Sequence, residues 1–499
     1  MRRKQLSLFM FLQEGLEATI RDANPWWRGE KLYNLPTMRR WAFQPVLKDL
    51  QKGLTPVVIL RGPRQVGKTT LLAQVIDFLL GQNIAPKRIF RMQFDELPQL
   101  RRLDSPILDL CHWFSETILQ KTFNQAAHDG EQAYIFLDEV QNLPDWAPQI
   151  KQLVDMNPVR VLVTGSSALR IQGGRDSLAG RITTIEMGPM FLREIAELRG
   201  FGHIDPFLPT NGLGPLKDKK TWCQLADFGK EKQRIRNQTF SAFSERGAYP
   251  VAQARPDQPW EQVADFLNET IIQRAIQHDL RTGPKGQKRD EHLLEEVFRL
   301  ACRSIGQAPK QAYYLSSITQ AMHADIGWQR ILAYLKFLDA TLLIRLIEPL
   351  ELRLKKRRSA PKICLCDHAL RAAWLQEMIP LDPSRLKKHP HLSDLAGHVA
   401  ESTAGYFFRS INGLDVAHFP ERVAEPEVDF ILTIGEQRIP IEVKYRKKID
   451  FEDTFGLRSF IEKTYYNAPF GILVTLTDEL AMDDPRIISM PLSTLLLLR

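Results

Sequence analysis

At 499 residues, with 44% hydrophobic and 25% charged residues, the chain has an ordinary globular composition and is too long for one core; its length predicts about three domains. No stretch approaches the roughly 18 consecutive apolar residues of a membrane span, so no membrane partner is expected and a cytoplasmic location is. The net charge of +8 is a mild basic excess, compatible with a nucleic-acid partner without establishing one.

Residues 1–42 read as a helical lead-in. The start, "MRRKQLSLFMFLQEGLEATI", imitates a signal peptide. Its apolar run is short, no small-residue cleavage site follows, and Glu14 and Glu17 arrive quickly, so an amphipathic helix is expected. From 43 to 195 the apolar runs "PVVIL", "RIFRMQF", "YIFLDEV", "VRVLVTGSS" and "ITTIEMG" alternate with helical stretches, the pattern of a parallel sheet covered on both faces. Residues 196–240 are mixed, and helical periodicity dominates from about 240 to 345. Around 345–366 two strands are expected, joined by the basic turn "RLKKRRSAPK". A linker, "DPSRLKKHPHLSD", leads into a compact C-terminal α/β unit. The cysteines Cys111, Cys223, Cys302, Cys364 and Cys366 show neither metal-type nor disulfide-type spacing; "CLC" reads as two small hydrophobes on one strand face.

"GPRQVGKT" fits the phosphate-binding pattern G-x-x-x-x-G-K-[ST], lying between the strand "PVVIL" and the helix "TTLLAQVIDFLL". In such a loop Gly62, Pro63, Arg64, Gln65, Val66 and Gly67 wrap the phosphates of ATP, every one of them except Pro63 with a backbone N–H to offer, and a helix N-terminus adds partial positive charge. Lys68 is expected on the β- and γ-phosphates and the Thr69 hydroxyl on Mg²⁺, with Thr70 continuing the helix. The strand "YIFLDE" delivers Asp138 and Glu139 at its end, Asp138 for the Mg²⁺ shell and Glu139 as base for the attacking water. "VLVTGSS" offers Ser166 or Ser167 as a γ-phosphate sensor, although both are ordinary turn formers. In "GGRDSLAGR", Arg175 and Arg181 are either an arginine finger or solvated loop arginines.

"LRGPRQVGKTTLL", "YIFLDEVQNLPDW", "VLVTGSS", "SLAGR" and "RGAYP" together resemble a large prokaryotic family of AAA-type ATPases carrying a C-terminal domain of unknown function. The resemblance runs from about Arg39 to the end. It implies an α/β P-loop ATPase core (43–195), a helical lid (196–289), a winged-helix region (290–375) and a nuclease-like C-terminal domain (390–499). Two turns depart from the family's pattern, "PMFLREI" and "GAYP". If the middle region is a winged helix, Arg353, Lys355, Lys356, Arg357 and Arg358 form its wing and meet DNA phosphates; otherwise they are a solvated turn.

The C-terminal unit runs helix, strand, strand, strand, helix, strand, the order of the PD-(D/E)xK nuclease fold. Glu401, Asp429, Glu442 and Lys444 fall where that fold keeps its E…D…E-x-K set, in a motif order similar to archaeal Holliday-junction resolvases. Three carboxylates suit Mg²⁺ or Mn²⁺, and Lys444 would stabilise developing charge. The alternative is an inherited fold with paired surface charges and no cutting. The expected function is therefore an ATP-hydrolysing DNA-binding protein coupled to a metal-dependent nuclease, branched DNA being a candidate substrate. The competing expectations are a nucleotide-dependent switch, or a homo-oligomeric (hexameric) ring translocase that grips DNA without cutting it.

Overall fold

The computed structural model describes residues 14–94, 100, 103–165, 178–208, 212–279, 290–351, 360–421, 425–478 and 484–499. The chain forms two compact units, Met1–Met187 and Gly188–Arg499.

In the first unit all five apolar runs are strands: β1 (Val57–Arg61), β2 (Ile89–Gln93), β3 (Tyr134–Asp138), β4 (Arg160–Gly165) and β5 (Ile182–Glu186). They form one parallel sheet in the order β2-β3-β4-β1-β5. A parallel strand covered on both faces must be apolar on both, which is why β1, β3 and β4 are buried almost throughout. Among its described residues the lead-in is helical only in part. A helix spans Glu14–Asp22 and a single 3₁₀ turn Pro25–Arg28, after which residues 29–40 are irregular. Tryptophans fix this segment: the indoles of Trp26 and Trp27 both donate to the Ile89 carbonyl, at 3.1 and 2.9 Å.

In the second unit a short helix, Leu192–Leu198, comes first, and the long helices Lys219–Glu231 and Gln233–Arg246 start well before the expected position near 240. Three helices (Glu291–Arg303, Gln311–Met322, Trp328–Ala340) then precede an antiparallel pair, β6 (Ile344–Ile347) and β7 (Lys362–Leu365). The five basic residues assigned to a wing, Arg353, Lys355, Lys356, Arg357 and Arg358, lie outside the described residues. The "GAYP" turn is seated on a helix start. The Ala248 N–H donates to Asp367 Oδ2 at 2.6 Å, and a Cβ on Gly247 (φ +69°) would stand 2.2 Å from Asp367 Oδ1.

The C-terminal sheet comprises β8 (Asp415–Phe419), β9 (Val428–Ile434), β10 (Gln437–Lys444), β11 (Gly471–Thr475) and β12 (Ile487–Pro491), in the order β12-β11-β10-β9-β8. β8, β9 and β10 are antiparallel, while β10, β11 and β12 are parallel. A two-residue turn joins β9 to β10, with Gly435 at φ +64° supplying the left-handed conformation such turns need. The helix Ser393–Ser410 lies on this sheet and also on β7, because Gly405 removes the side chain at the crossing: a Cβ there would meet Cys364 Sγ at 2.4 Å and the Phe430 ring at 2.7 Å. The Pro349–His418 bridge and the Leu365 N–H bond to Ser402 Oγ (2.9 Å) extend the same junction. At the far end, Arg236 is buried against Asp478 and Thr494.

Candidate functional site

The phosphate loop leaves the C-terminal end of β1 and enters the helix Lys68–Gly81. Its shape demands unusual backbone, with Gln65 at φ +61° and Gly67 at φ +92°. Gly62 has no room for a side chain, since a Cβ would lie 2.0 Å from the Met187 carbonyl oxygen. Lys68 is buried, its ammonium donating to the carbonyls of Pro63 (2.7 Å) and Gly62 (3.1 Å), so the charge is held inside the loop. Arg40, also buried, donates to the Val66 carbonyl and braces the loop from outside.

β4 separates β3 from β1, and the three strands together build the rest of the site. Thr69 Oγ1, at the first turn of the helix, lies 3.3 Å from Asp138 Oδ1 at the end of β3. Thr164 on β4 donates its hydroxyl hydrogen to the same Oδ1 and accepts the Glu139 N–H at 3.2 Å. Glu139 sits in the left-handed region (φ +53°), which turns its carboxylate out of line with the strand and toward the Gln141 amide. Asp138 is fully buried. Burial pushes its carboxyl above the usual range against the opposing bond from Thr164, and among the described residues no hydrogen-bond donor reaches its Oδ2; Arg91 stands 3.6 Å away. A buried carboxylate oxygen without a donor, beside a threonine hydroxyl, is a donor set that suits Mg²⁺.

Of the expected residues, Lys68, Thr69, Asp138 and Glu139 are brought together by β1, β3 and the loop. Arg181 is paired with Asp155 (Nη2–Oδ2 3.0 Å) on the exposed face of this unit. Ser166, Ser167 and Arg175 lie outside the described residues. Thr164, Arg91 and Arg40 were not anticipated.

The second cluster lies in the C-terminal sheet. Asp429 near the start of β9 and Glu442 on β10 do come together: Glu442 Oε2 accepts the Asp429 N–H at 3.4 Å, and Asp429 Oδ2 accepts the Val443 N–H at 2.9 Å. Glu401 reaches the same place from its helix. A residue not anticipated occupies the middle. The ammonium of Lys362, from β7, pairs with Glu401, lies 3.0 Å from Asp429 Oδ1 and 3.6 Å from Glu427 Oε1, and its side chain is 1% exposed. Burial alone would push this ammonium down, but the charges of Asp429, Glu401 and Glu427 hold it well above its ordinary value. Burial and the Asp429 charge push Glu401 well up. At Asp429 burial also pushes up, yet Lys362 and the bonds from Glu401 and Val443 outweigh it and the carboxyl lies low. The two carboxyls are thus shifted in opposite directions, Glu401 up and Asp429 down. Glu442 pairs with Lys444 at 2.7 Å, and burial together with Asp429 pushes it up to about 8. Among the described residues no group of three or more His, Cys, Asp or Glu side chains is arranged to hold a metal ion. The set Glu401, Asp429 and Glu442, each committed to a lysine, does not fit a divalent cation.

Residues 54–196 match the family described as an AAA domain, 237–379 a domain of unknown function (DUF8612), and 397–495 another (DUF4143). An uncharacterized protein of Mycobacterium tuberculosis is 33% identical over 143 residues, 28% of this chain and 26% of that protein. One from Haemophilus influenzae is 21% identical over 264 residues, 53% of this chain and 55% of that protein. The chain thus spans about a quarter of the first relative and about half of the second. Among solved structures, the Walker-type ATPase of Pyrococcus abyssi is 12% identical, with 67% of this chain and 94% of that one covered at a TM-score of 0.34. The domain match and the loop geometry together define the class: the chain carries an AAA-type P-loop ATPase domain. Among the described residues no helix is long and apolar enough to cross a membrane.

Proposed function

We propose that the protein is an ATP-hydrolysing, DNA-binding switch whose nuclease-like C-terminal domain does not cut. The observation that carries the ATPase reading is the convergence of Thr69 and Asp138, 3.3 Å apart, beside the buried Lys68 ammonium. In this reading the loop amides and Lys68 bind and neutralise the phosphates of ATP. Thr69 and Asp138 would hold Mg²⁺, which supplies further neutralisation of phosphate charge. Glu139, turned out of line with β3, takes the proton of the attacking water. Thr164 fixes both acids through one hydroxyl.

DNA is the partner favoured by the basic balance of +8 and by the expected wing residues 353–358. Arg181 remains the candidate finger for a ring assembly. It would have to leave Asp155, but an exposed pair of this kind is weakly held and screened by solvent, so the pairing is no obstacle. A metal-dependent nuclease coupled to the ATPase is the competing reading, favoured by the meeting of Asp429 with Glu442 and opposed by the lysine pairing of all three carboxylates.

The test is phosphate release from Mg²⁺–ATP by the purified protein, alone and with duplex, single-stranded and four-way-junction DNA. Lys68→Ala should abolish turnover, and Glu139→Gln should abolish it while retaining nucleotide binding. Turnover unaffected by either substitution would sink the ATPase reading; turnover indifferent to every DNA form would remove DNA as the partner.

A further inference from the structure

The lysine at the centre of the C-terminal cluster comes from a strand, not from a loop that could swing away. β7 is held on one side by β6, where Lys362 faces Ile347. Next to it, Ile363 donates its N–H to the Gln307 carbonyl at 2.9 Å and accepts the Gly306 N–H at 2.8 Å. Two residues on, the Leu365 N–H is bound to Ser402 of the helix that carries Glu401. The methylene stem is sealed in the core, with the ammonium 5.2 Å from the centre of the Phe430 ring. Withdrawing it would require breaking that strand's attachments and leaving Asp429 buried beside Glu401 with no cation.

The ammonium also occupies the position a metal would need. An Mg²⁺ or Mn²⁺ bound by Glu401 and Asp429 must sit within about 2.0–2.2 Å of one oxygen from each. Lys362 Nζ already bonds to both carboxylates and lies between them. A dication there would be in contact with a fixed positive charge. The third carboxylate cannot compensate, because Glu442 is held by Lys444.

We propose that Lys362 is the resident cation of this cluster: its ammonium takes the place of the divalent metal of a nuclease, so the domain does not bind a catalytic metal, and the carboxylates serve as a clasp between β7 and β9. The inference extends the non-cutting reading of the C-terminal domain but is independent of ATP hydrolysis, and nucleotide-free protein keeps the two apart.

The experiment is a titration of the nucleotide-free full chain with Mn²⁺, following the free-ion paramagnetic resonance signal, for the native protein, Asp429→Asn, Lys362→Ala and the double variant. The native chain should show no stoichiometric uptake that depends on Asp429. Lys362→Ala should gain one Mn²⁺ per chain, lost again when Asp429→Asn is added. Stoichiometric uptake by the native chain that Asp429→Asn removes would overturn the proposal. So would a folded Lys362→Ala chain that stays empty. Should Lys362→Ala fail to fold, the native titration decides alone, since a tightly held Mn²⁺ at Asp429 is incompatible with a resident ammonium.

Discussion

Two glycines on one helix should respond to alanine with opposite signs. In the helix Ser393–Ser410, Gly397 has nothing within 4 Å of where a Cβ would stand, whereas at Gly405 the Cβ would lie 2.4 Å from Cys364 Sγ and 2.7 and 2.8 Å from carbons of the Phe430 ring. Ordinary carbon contacts lie near 3.5–4.0 Å, so about 1 Å must be found at Gly405. Cys364 on β7 and Phe430 on β9 are both fully buried, each on a strand hydrogen-bonded into its own sheet, and neither can retreat as a flexible side chain would. Gly397→Ala should stabilise by about 0.5–1 kcal/mol through helix propensity and unfolded-state entropy. Gly405→Ala starts with the same gain but must overcome an overpacking cost of about 1–3 kcal/mol or more, leaving a net loss of about 1–2 kcal/mol. Urea unfolding of the full chain, followed by far-ultraviolet circular dichroism, would separate the two midpoints to either side of the native one. The reasoning fails if Gly405→Ala unfolds at or above the midpoint of Gly397→Ala.

Thr164→Val keeps the shape of the side chain while removing the donor to Asp138 and the acceptor of the Glu139 N–H. Steady-state phosphate release should show kcat falling about tenfold or more with KM little changed, and a loss carried wholly by KM would contradict a positioning role. Glu442 gives a pH signature. Its folded carboxyl titrates near 8 and an unfolded one near 4.3, so between those values unfolding releases a proton and rising pH destabilises the native chain, by at most about 1.4 kcal/mol per pH unit. Glu442→Gln lacks that proton. Its stability relative to the native protein should therefore improve from pH 5 to pH 8 in thermal melts, and parallel curves would refute the assignment.

The parallel sheet was legible because strands buried on both faces must be written as unbroken apolar runs, and the loop was legible because a close approach at Gly62 and a positive φ at Gly67 call for glycine at those two positions. Thr164, Arg91 and Arg40 were not. The role of Thr164 exists only once β4 lies beside β3, that of Arg91 once β2 does, and that of Arg40 once the loop is folded; a threonine in "VLVTG" reads as a strand former. The helices from Lys219 were obscured by a polar face and by Gly229, a poor helix residue locally; a Cβ at Gly229 would lie 2.2 Å from Thr494 Oγ1. Lys362 was hidden as the last charge of a basic run. One signal did exist: Lys362 and Cys364 share a face by the alternation of a strand, and a buried thiol on that face points to a buried ammonium beside it.

The anchoring of Lys362 has a bearing on inheritance. The strand that supplies the cation belongs to the segment 237–379, while the carboxylates belong to 397–495. Segments distinct in sequence are therefore not interchangeable parts here: a chain acquiring the second without a lysine at this point of the first would inherit a knot of buried negative charge.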